Sequence, residues 1–127
     1  MKNSRFAPFL ALAAIVLLVG WIPFHLELEA SYPEADAALE EAPSQIWLRF
    51  SVEPDMERTS FSVRGPQGTV ELGAISTGEE AEIIVAQVGG EMPAGTYTLS
   101  WIGAPLDDHT VRGRFNFSIE GADSASR

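Results

Sequence analysis

A chain of 127 residues is the length of one domain, and its 18 acidic and 8 basic residues give a net charge of −10 at pH 7. A surface this acidic repels nucleic acid and anionic lipid, which argues against a nucleic-acid-binding protein. The chain has no cysteine, which excludes disulfides, blue-copper electron transfer and every metal site built on thiolate.

The first predicted element is an export signal. Lys2 and Arg5 precede an uncharged, mostly apolar run of 19 residues that ends at Phe24. A basic start followed by an apolar stretch is typical of a secretory signal, and the run also approaches the roughly 20 residues of a membrane-spanning helix. We therefore expect residues 1–24 to be a signal peptide or an uncleaved N-terminal membrane anchor. Both interpretations place the remaining chain outside the cytoplasm.

The rest of the chain has the pattern of β-strands. In Gln45–Val52 the apolar residues Ile46, Leu48 and Phe50 fall on one face, and turn-forming residues separate this run from the next. Similar runs occupy residues 59–65, 69–72, 81–88, 95–102 and 111–119. Strands about every ten residues, without an amphipathic helix, predict an all-β antiparallel sandwich or barrel over residues 25–120.

Two short segments do not follow the strand pattern. Residues 35–42, confined between Pro33 and Pro43, leave room for a helical turn. Residues 121–127 are small and polar, and we expect them to form a disordered tail.

The chain has two histidines, His25 at the end of the predicted signal and His109 in a polar stretch. A histidine in either setting is more often solvated than functional. The residues around them carry more information. From His25 the chain reads H-x-x-L-x-x-S-x-P, and near the other end PAGTYTLSW is followed by Asp107, six residues after Trp101, and then by Asp108 and His109.

In these motifs the chain resembles the CopC copper-resistance family from His25 to Ile119, with residues 53–90 matching only in their strand-like texture. The resemblance implies a Greek-key β-sandwich of about seven strands, of immunoglobulin or cupredoxin type, that is exported to the periplasm or another extracytoplasmic space. It also implies that the protein binds copper(II) and helps cells to handle excess copper. It also implies the metal ligands. These are His25, through its imidazole and the α-amine of the mature N-terminus, together with Asp107 and His109 of the D-x-H element.

Coordination chemistry agrees with this ligand set. Imidazole and amine nitrogens with a carboxylate oxygen suit the tetragonal geometry of copper(II). On an extended segment Asp107 and His109 point to the same side, whereas Asp108 points away. Met56 and Met92 are isolated in the sequence, so we expect no thioether copper(I) site and expect Met92 to pack at a turn.

The N-terminal ligand depends on processing. Cleavage before His25 frees its amine, a retained anchor converts that amine into an amide, and cleavage after Ala30 removes His25 altogether. The peptidase prefers a small residue such as Ala30 before the cut, whereas the register of the motif favours cleavage before His25.

We therefore expect an exported copper(II) carrier or buffer and no enzymatic activity. Two alternatives stay open: a degenerate β-sandwich that makes protein contacts without metal, and a histidine-brace copper oxygenase. The oxygenase is disfavoured because Asp107 fills a further ligand position and leaves less room for oxygen. The expected partner is the copper ion, with a membrane copper transporter as a candidate donor or acceptor. Membrane attachment would run through residues 1–24.

Overall fold

Nine β-strands form two sheets in the computed structural model, which describes residues 25–107 and 109–121. One sheet has the order β1-β3-β7-β6 and the other β2-β9-β8-β4-β5, with all neighbours antiparallel except β2 and β9. The predicted all-β sandwich is confirmed. The strands are β1 (Leu28–Tyr32), β2 (Ala38–Leu39), β3 (Gln45–Phe50), β4 (Ser60–Gly65), β5 (Gly68–Thr69), β6 (Ser76–Thr77), β7 (Ile83–Gln87), β8 (Gly95–Gly103) and β9 (Val111–Ile119).

The core follows the alternation read from the sequence. Ile46, Leu48 and Phe50 of β3 are each at most 1% exposed, while the intervening Trp47 and Arg49 are only half-buried. Alternate side chains of a strand point to opposite faces, so one face of β3 packs into the sandwich. The other buried apolar side chains of this core are Leu26, Phe61, Val63, Val70, Ile84, Ala86, Met92, Tyr97, Leu99, Trp101, Phe117 and Ile119.

The structure has nine strands where about seven were expected, and three of the nine, β2, β5 and β6, have only two residues each. A strand this short has no alternation to detect. The segment of residues 35–42 does not form a helical turn. It makes a turn with Asp36 at φ 63° and then forms β2, in which Ala38 and Leu39 pair in parallel with Ser118 and Ile119.

One end of the sandwich gathers the segments that carry the predicted ligands. β1 begins at Leu28 opposite Phe50, the last residue of β3, and β8 ends at Gly103 opposite Val111, the first residue of β9. β4 begins at Ser60, opposite residue 102 of β8. The start of the domain, the β3–β4 connection (residues 51–59) and the β8–β9 connection (residues 104–110) therefore lie together, at what we call the histidine end.

The predicted signal or anchor, residues 1–24, lies outside the described residues, as do Asp108 and residues 122–127 of the predicted tail. Within the part of the chain that the structure describes, no helix is long and apolar enough to cross a membrane.

Candidate metal site

A packed apolar base underlies the histidine end. Leu26 is 2% exposed and packs on Gly103, where an added Cβ would lie 3.1 Å from Leu26 Cδ2. The ring of Phe50 meets that of Trp101 edge to face, with 5.4 Å between centroids, and Trp101 covers Gly113 so closely that a Cβ there would lie 2.7 Å from the ring. Close packing of this kind fixes the ends of β3, β8 and β9 relative to one another.

The main chain of His25 is attached to the end of β3 through Ser51. The Ser51 hydroxyl donates a hydrogen bond of 2.6 Å to the His25 carbonyl and accepts one of 3.0 Å from the Glu27 N–H. The Ser51 N–H donates to the Glu27 carbonyl at 2.8 Å. His25 itself is exposed. Its backbone is therefore placed by the fold while the residue remains accessible from solvent.

The β8–β9 connection carries the other two predicted ligands, Asp107 and His109, and both are exposed. Its first residues are attached to the β3–β4 connection by main-chain contacts. Pro105 forms an antiparallel bridge with Pro54, and the Ala104 carbonyl accepts a hydrogen bond of 2.7 Å from the Asp55 N–H. The two connections therefore form one continuous surface at the histidine end.

An ion pair strengthens this attachment. Arg58 Nε donates to Asp55 Oδ2 at 2.9 Å, and Arg58 Nη2 donates to the carbonyls of Pro105 and Leu106 at 2.7 and 3.3 Å. The hydrogen bond from Arg58 lowers the pKa of the Asp55 carboxyl, and the Glu57 N–H, 3.0 Å from Asp55 Oδ1, lowers that pKa further. Asp55 is therefore held as a carboxylate that fixes the direction of the guanidinium.

The three predicted ligands share one end of the sandwich but do not form a ready-made cage. Among residues 25–107 and 109–121, no group of three or more His, Asp or Glu side chains could hold a metal ion as it stands. His25, Asp107 and His109 are all exposed. Their donor atoms suit copper(II), and exposed side chains on an anchored backbone can turn toward an ion as it binds.

Sequence reasoning did not single out the carboxylates of the β3–β4 connection, among them Glu53. Glu53 is exposed and stands between Ser51, which bonds to the His25 carbonyl, and Pro54, which bridges to Pro105. Glu53 lies in residues 53–90, which resemble the CopC family only in their strand-like pattern, so no sequence motif marked it.

The two methionines that follow the predicted signal do not form a pair of exposed thioethers. Met92 is buried in the core, which confirms that it packs, and Met56 is partly buried against the same cluster.

Comparison with known protein sequences confirms the predicted family. The family model described as the CopC domain matches residues 28–120. Protein YobA of Escherichia coli K12 is 25% identical over 121 residues, which cover 94% of this chain and 96% of that protein. Copper resistance protein C of Escherichia coli is 27% identical over 104 residues, which cover 76% of this chain and 82% of that protein.

Solved structures match the sandwich. PcoC, a methionine-rich copper resistance protein from Escherichia coli, superposes with a TM-score of 0.68 at 27% identity, covering 76% of this chain and 99% of that one. CopC from Methylosinus trichosporium OB3b gives a TM-score of 0.69 at 21% identity, covering 77% and 96%, a likeness that shows the fold alone. The family match begins at Leu28 and spans every strand of the sandwich, so the chain belongs to the CopC family.

Proposed function

We propose that this protein is an extracytoplasmic copper(II)-binding carrier or buffer that acts in copper resistance or homeostasis. The observation that carries the proposal is the position of His25, Asp107 and His109 at one end of a CopC-family sandwich, on backbone segments attached to a common base. Copper-resistance relatives in the same family support the choice of metal.

The proposed ligands are the His25 imidazole and α-amine, the Asp107 carboxylate and the His109 imidazole. Three nitrogens and one carboxylate oxygen suit the tetragonal preference of copper(II), and copper(II) forms the strongest complexes with such donors among the divalent first-row metals. Copper is the cargo in this proposal, and the protein carries out no reaction on it.

We also propose that the mature chain begins at His25. Cleavage after Ala30 would remove Leu26 and the first part of β1, and would expose the surface of Gly103 that Leu26 covers. Burial of one leucine side chain stabilises a fold by about 1.5–3 kcal/mol. The burial of Leu26 and the hydrogen bonds of Ser51 therefore favour a mature chain that retains residues 25–30.

A titration of the mature protein with copper(II) tests the proposal. We expect one saturable site per chain, and we expect His109→Ala and Asp107→Asn each to weaken binding by at least about tenfold, which corresponds to about 1.4 kcal/mol. Glu91→Gln is the matched control for Asp107→Asn. Glu91 is an exposed carboxylate that lies with Gly65 and Gly68 at the opposite end, and its removal should leave the affinity unchanged.

Two outcomes would contradict the proposal. Binding without a saturable one-to-one site would indicate a sandwich that serves protein contacts without metal. Transfer of an oxygen atom from O2 into an organic substrate by the reduced, copper-loaded protein would indicate a histidine-brace oxygenase.

A further inference from the structure

We infer that Asp55 and Arg58 are positioning residues for the proposed copper site, because Arg58 fastens the segment that carries Asp107 and His109 to the β3–β4 connection. This inference rests on the proposed function. Arg58 Nη2 donates to the carbonyls of Pro105 and Leu106, and the carbonyl of Leu106 belongs to the peptide unit that leads directly into Asp107. Neither Asp55 nor Arg58 is proposed to touch the metal.

Beyond the buried Ala104, hydrogen bonds hold the β8–β9 connection. Leu106 is 57% exposed, so its side chain gives the segment little apolar anchorage. Ala104 is buried and donates its N–H to Thr59 Oγ1 at 3.4 Å, while its carbonyl accepts from the Asp55 N–H at 2.7 Å. Beyond Ala104, the bridge between Pro54 and Pro105 and the hydrogen bonds from the Arg58 guanidinium supply the next contacts toward the ligands.

The arrangement requires an arginine in particular. A guanidinium presents five N–H donors in a fixed plane, so one edge can pair with Asp55 while another nitrogen reaches two main-chain carbonyls. A lysine ammonium is a point donor on a flexible stem and cannot hold these directions together. Asp55 fixes the orientation of the Arg58 guanidinium because Asp55 is itself held in place. Its N–H donates a hydrogen bond to the Ala104 carbonyl, and its carboxylate accepts one from the Glu57 N–H.

A contribution to the global stability of the fold does not explain the ion pair of Asp55 and Arg58. Both side chains are partly exposed, and ion pairs at a protein surface contribute little to stability. The chain offers a matched comparison in Arg49 of β3, which pairs through side-chain contacts with Glu80 in the β6–β7 connection of the same sheet. Arg58 differs because its donors reach the main chain next to a proposed ligand. Fixing that backbone before copper arrives lowers the ordering cost of binding.

Hydrogen exchange of the copper-free protein tests the anchoring itself. We expect Arg58→Gln to speed amide exchange at Asp55 and Ala104 by at least about fivefold, because their N–H groups form the hydrogen bonds that join the two connections and these bonds then open locally without global unfolding. Arg58→Lys should restore only part of the protection, and Arg49→Gln should leave it unchanged. If Arg58→Gln destabilises the fold, Asp55→Asn is the milder variant, since it retains an acceptor for Arg58 and removes only the charge. Wild-type protection in both Arg58→Gln and Asp55→Asn would overturn the inference.

Copper(II) titration and electron paramagnetic resonance of the same variants test the consequence. We expect Arg58→Gln to weaken copper(II) binding by about tenfold and to broaden or shift the copper signal, whereas Arg49→Gln should match the wild type. Copper affinity and signal that stay unchanged in Arg58→Gln would overturn the inference while leaving the proposed function intact. A wild-type protein without a saturable copper site would instead overturn the proposed function, and the exchange data would still show whether Arg58 anchors the segment.

Discussion

Tyr97 closes the end of the sandwich opposite the histidines. Its side chain is 1% exposed, its ring stacks on Phe117 with 5.5 Å between centroids, and it covers Gly65, where a Cβ would lie 2.1 Å from the ring. Its hydroxyl donates a hydrogen bond to the Pro93 carbonyl. Burial raises the pKa of the Tyr97 phenol, so the folded state favours the neutral form.

Replacing Tyr97 with phenylalanine should lower the free energy of unfolding by about 1 kcal/mol at neutral pH, because the Pro93 carbonyl loses its donor. The raised pKa gives this difference a pH dependence. Below the ordinary tyrosine pKa of about 10 the phenol is neutral in both states, whereas above it the unfolded chain ionises first. The wild type therefore loses stability relative to Tyr97→Phe as pH rises above about 10. Urea unfolding at neutral and alkaline pH measures this change, and a difference that does not shrink above pH 10 would contradict it.

The pairing of β8 with β9 is the element that supports the D-x-H segment. The two strands pair without interruption from Gly95–Ile119 to Gly103–Val111, and the Trp101 side chain crosses over to Gly113 on the neighbouring strand. The three atoms nearest to a Cβ on Gly113 all belong to the rigid indole ring of Trp101, which cannot move aside as a flexible chain end can.

Substitution of Gly113 by alanine should therefore destabilise the protein. The added Cβ would lie 2.7–2.9 Å from three indole atoms of Trp101, and overpacking of this kind costs about 1–3 kcal/mol. Gly73→Ala is the matched control, because the nearest atom to a Cβ there is the Gln87 carbonyl oxygen at 3.7 Å. Its effect should stay within about 0.5 kcal/mol. Thermal or urea unfolding of both variants compares them, and equal stability would show that Trp101 can be displaced without cost.

The elements also show which parts of the fold a sequence can reveal. β3, β8 and β9 are long enough for alternation to predict them, with bounds that differ by at most two residues from the predicted runs. The alternation pattern did not predict β1, because its pairing with β3 shifts register between Leu28 and Ala30, which interrupts the alternation of side chains.

For the site, motifs around His25 and His109 identified candidate ligands. Their attachment through Arg58 joins residues 47 and 48 positions apart, which no local pattern records.

At the scale of the whole molecule, the proposed site depends on how the chain is processed. Removal of residues 1–24 takes two of the eight basic residues and none of the acidic ones, which leaves six against eighteen and a net charge of −12. An acidic surface of this size raises the local concentration of cations such as copper(II). The CopC match begins at Leu28 and leaves His25 outside, so the N-terminal ligand rests on the motif and on the attachment of its backbone.

The state of the His25 nitrogen decides how tightly the whole protein binds copper. A chain that begins at His25 offers a free α-amine beside the imidazole, whereas a chain acetylated at the His25 nitrogen offers an amide in its place and no other amine near the site. We expect the acetylated chain to bind copper(II) at least about tenfold more weakly, or about 1.4 kcal/mol, because an amide nitrogen is a much poorer ligand unless it loses its proton.

Calorimetric titration of the two forms with copper(II) measures this loss of affinity. Urea unfolding without copper is the control. Both forms retain Leu26 and the Ser51 hydrogen bonds, so their free energies of unfolding should be equal. Mass spectrometry of the exported protein shows whether its first residue is His25 with a free α-amine. Equal copper affinity of the two forms would remove the α-amine from the ligand set and leave the imidazoles of His25 and His109 with the carboxylate of Asp107. In that case an anchored chain that retains residues 1–24 would bind copper as well as a processed one.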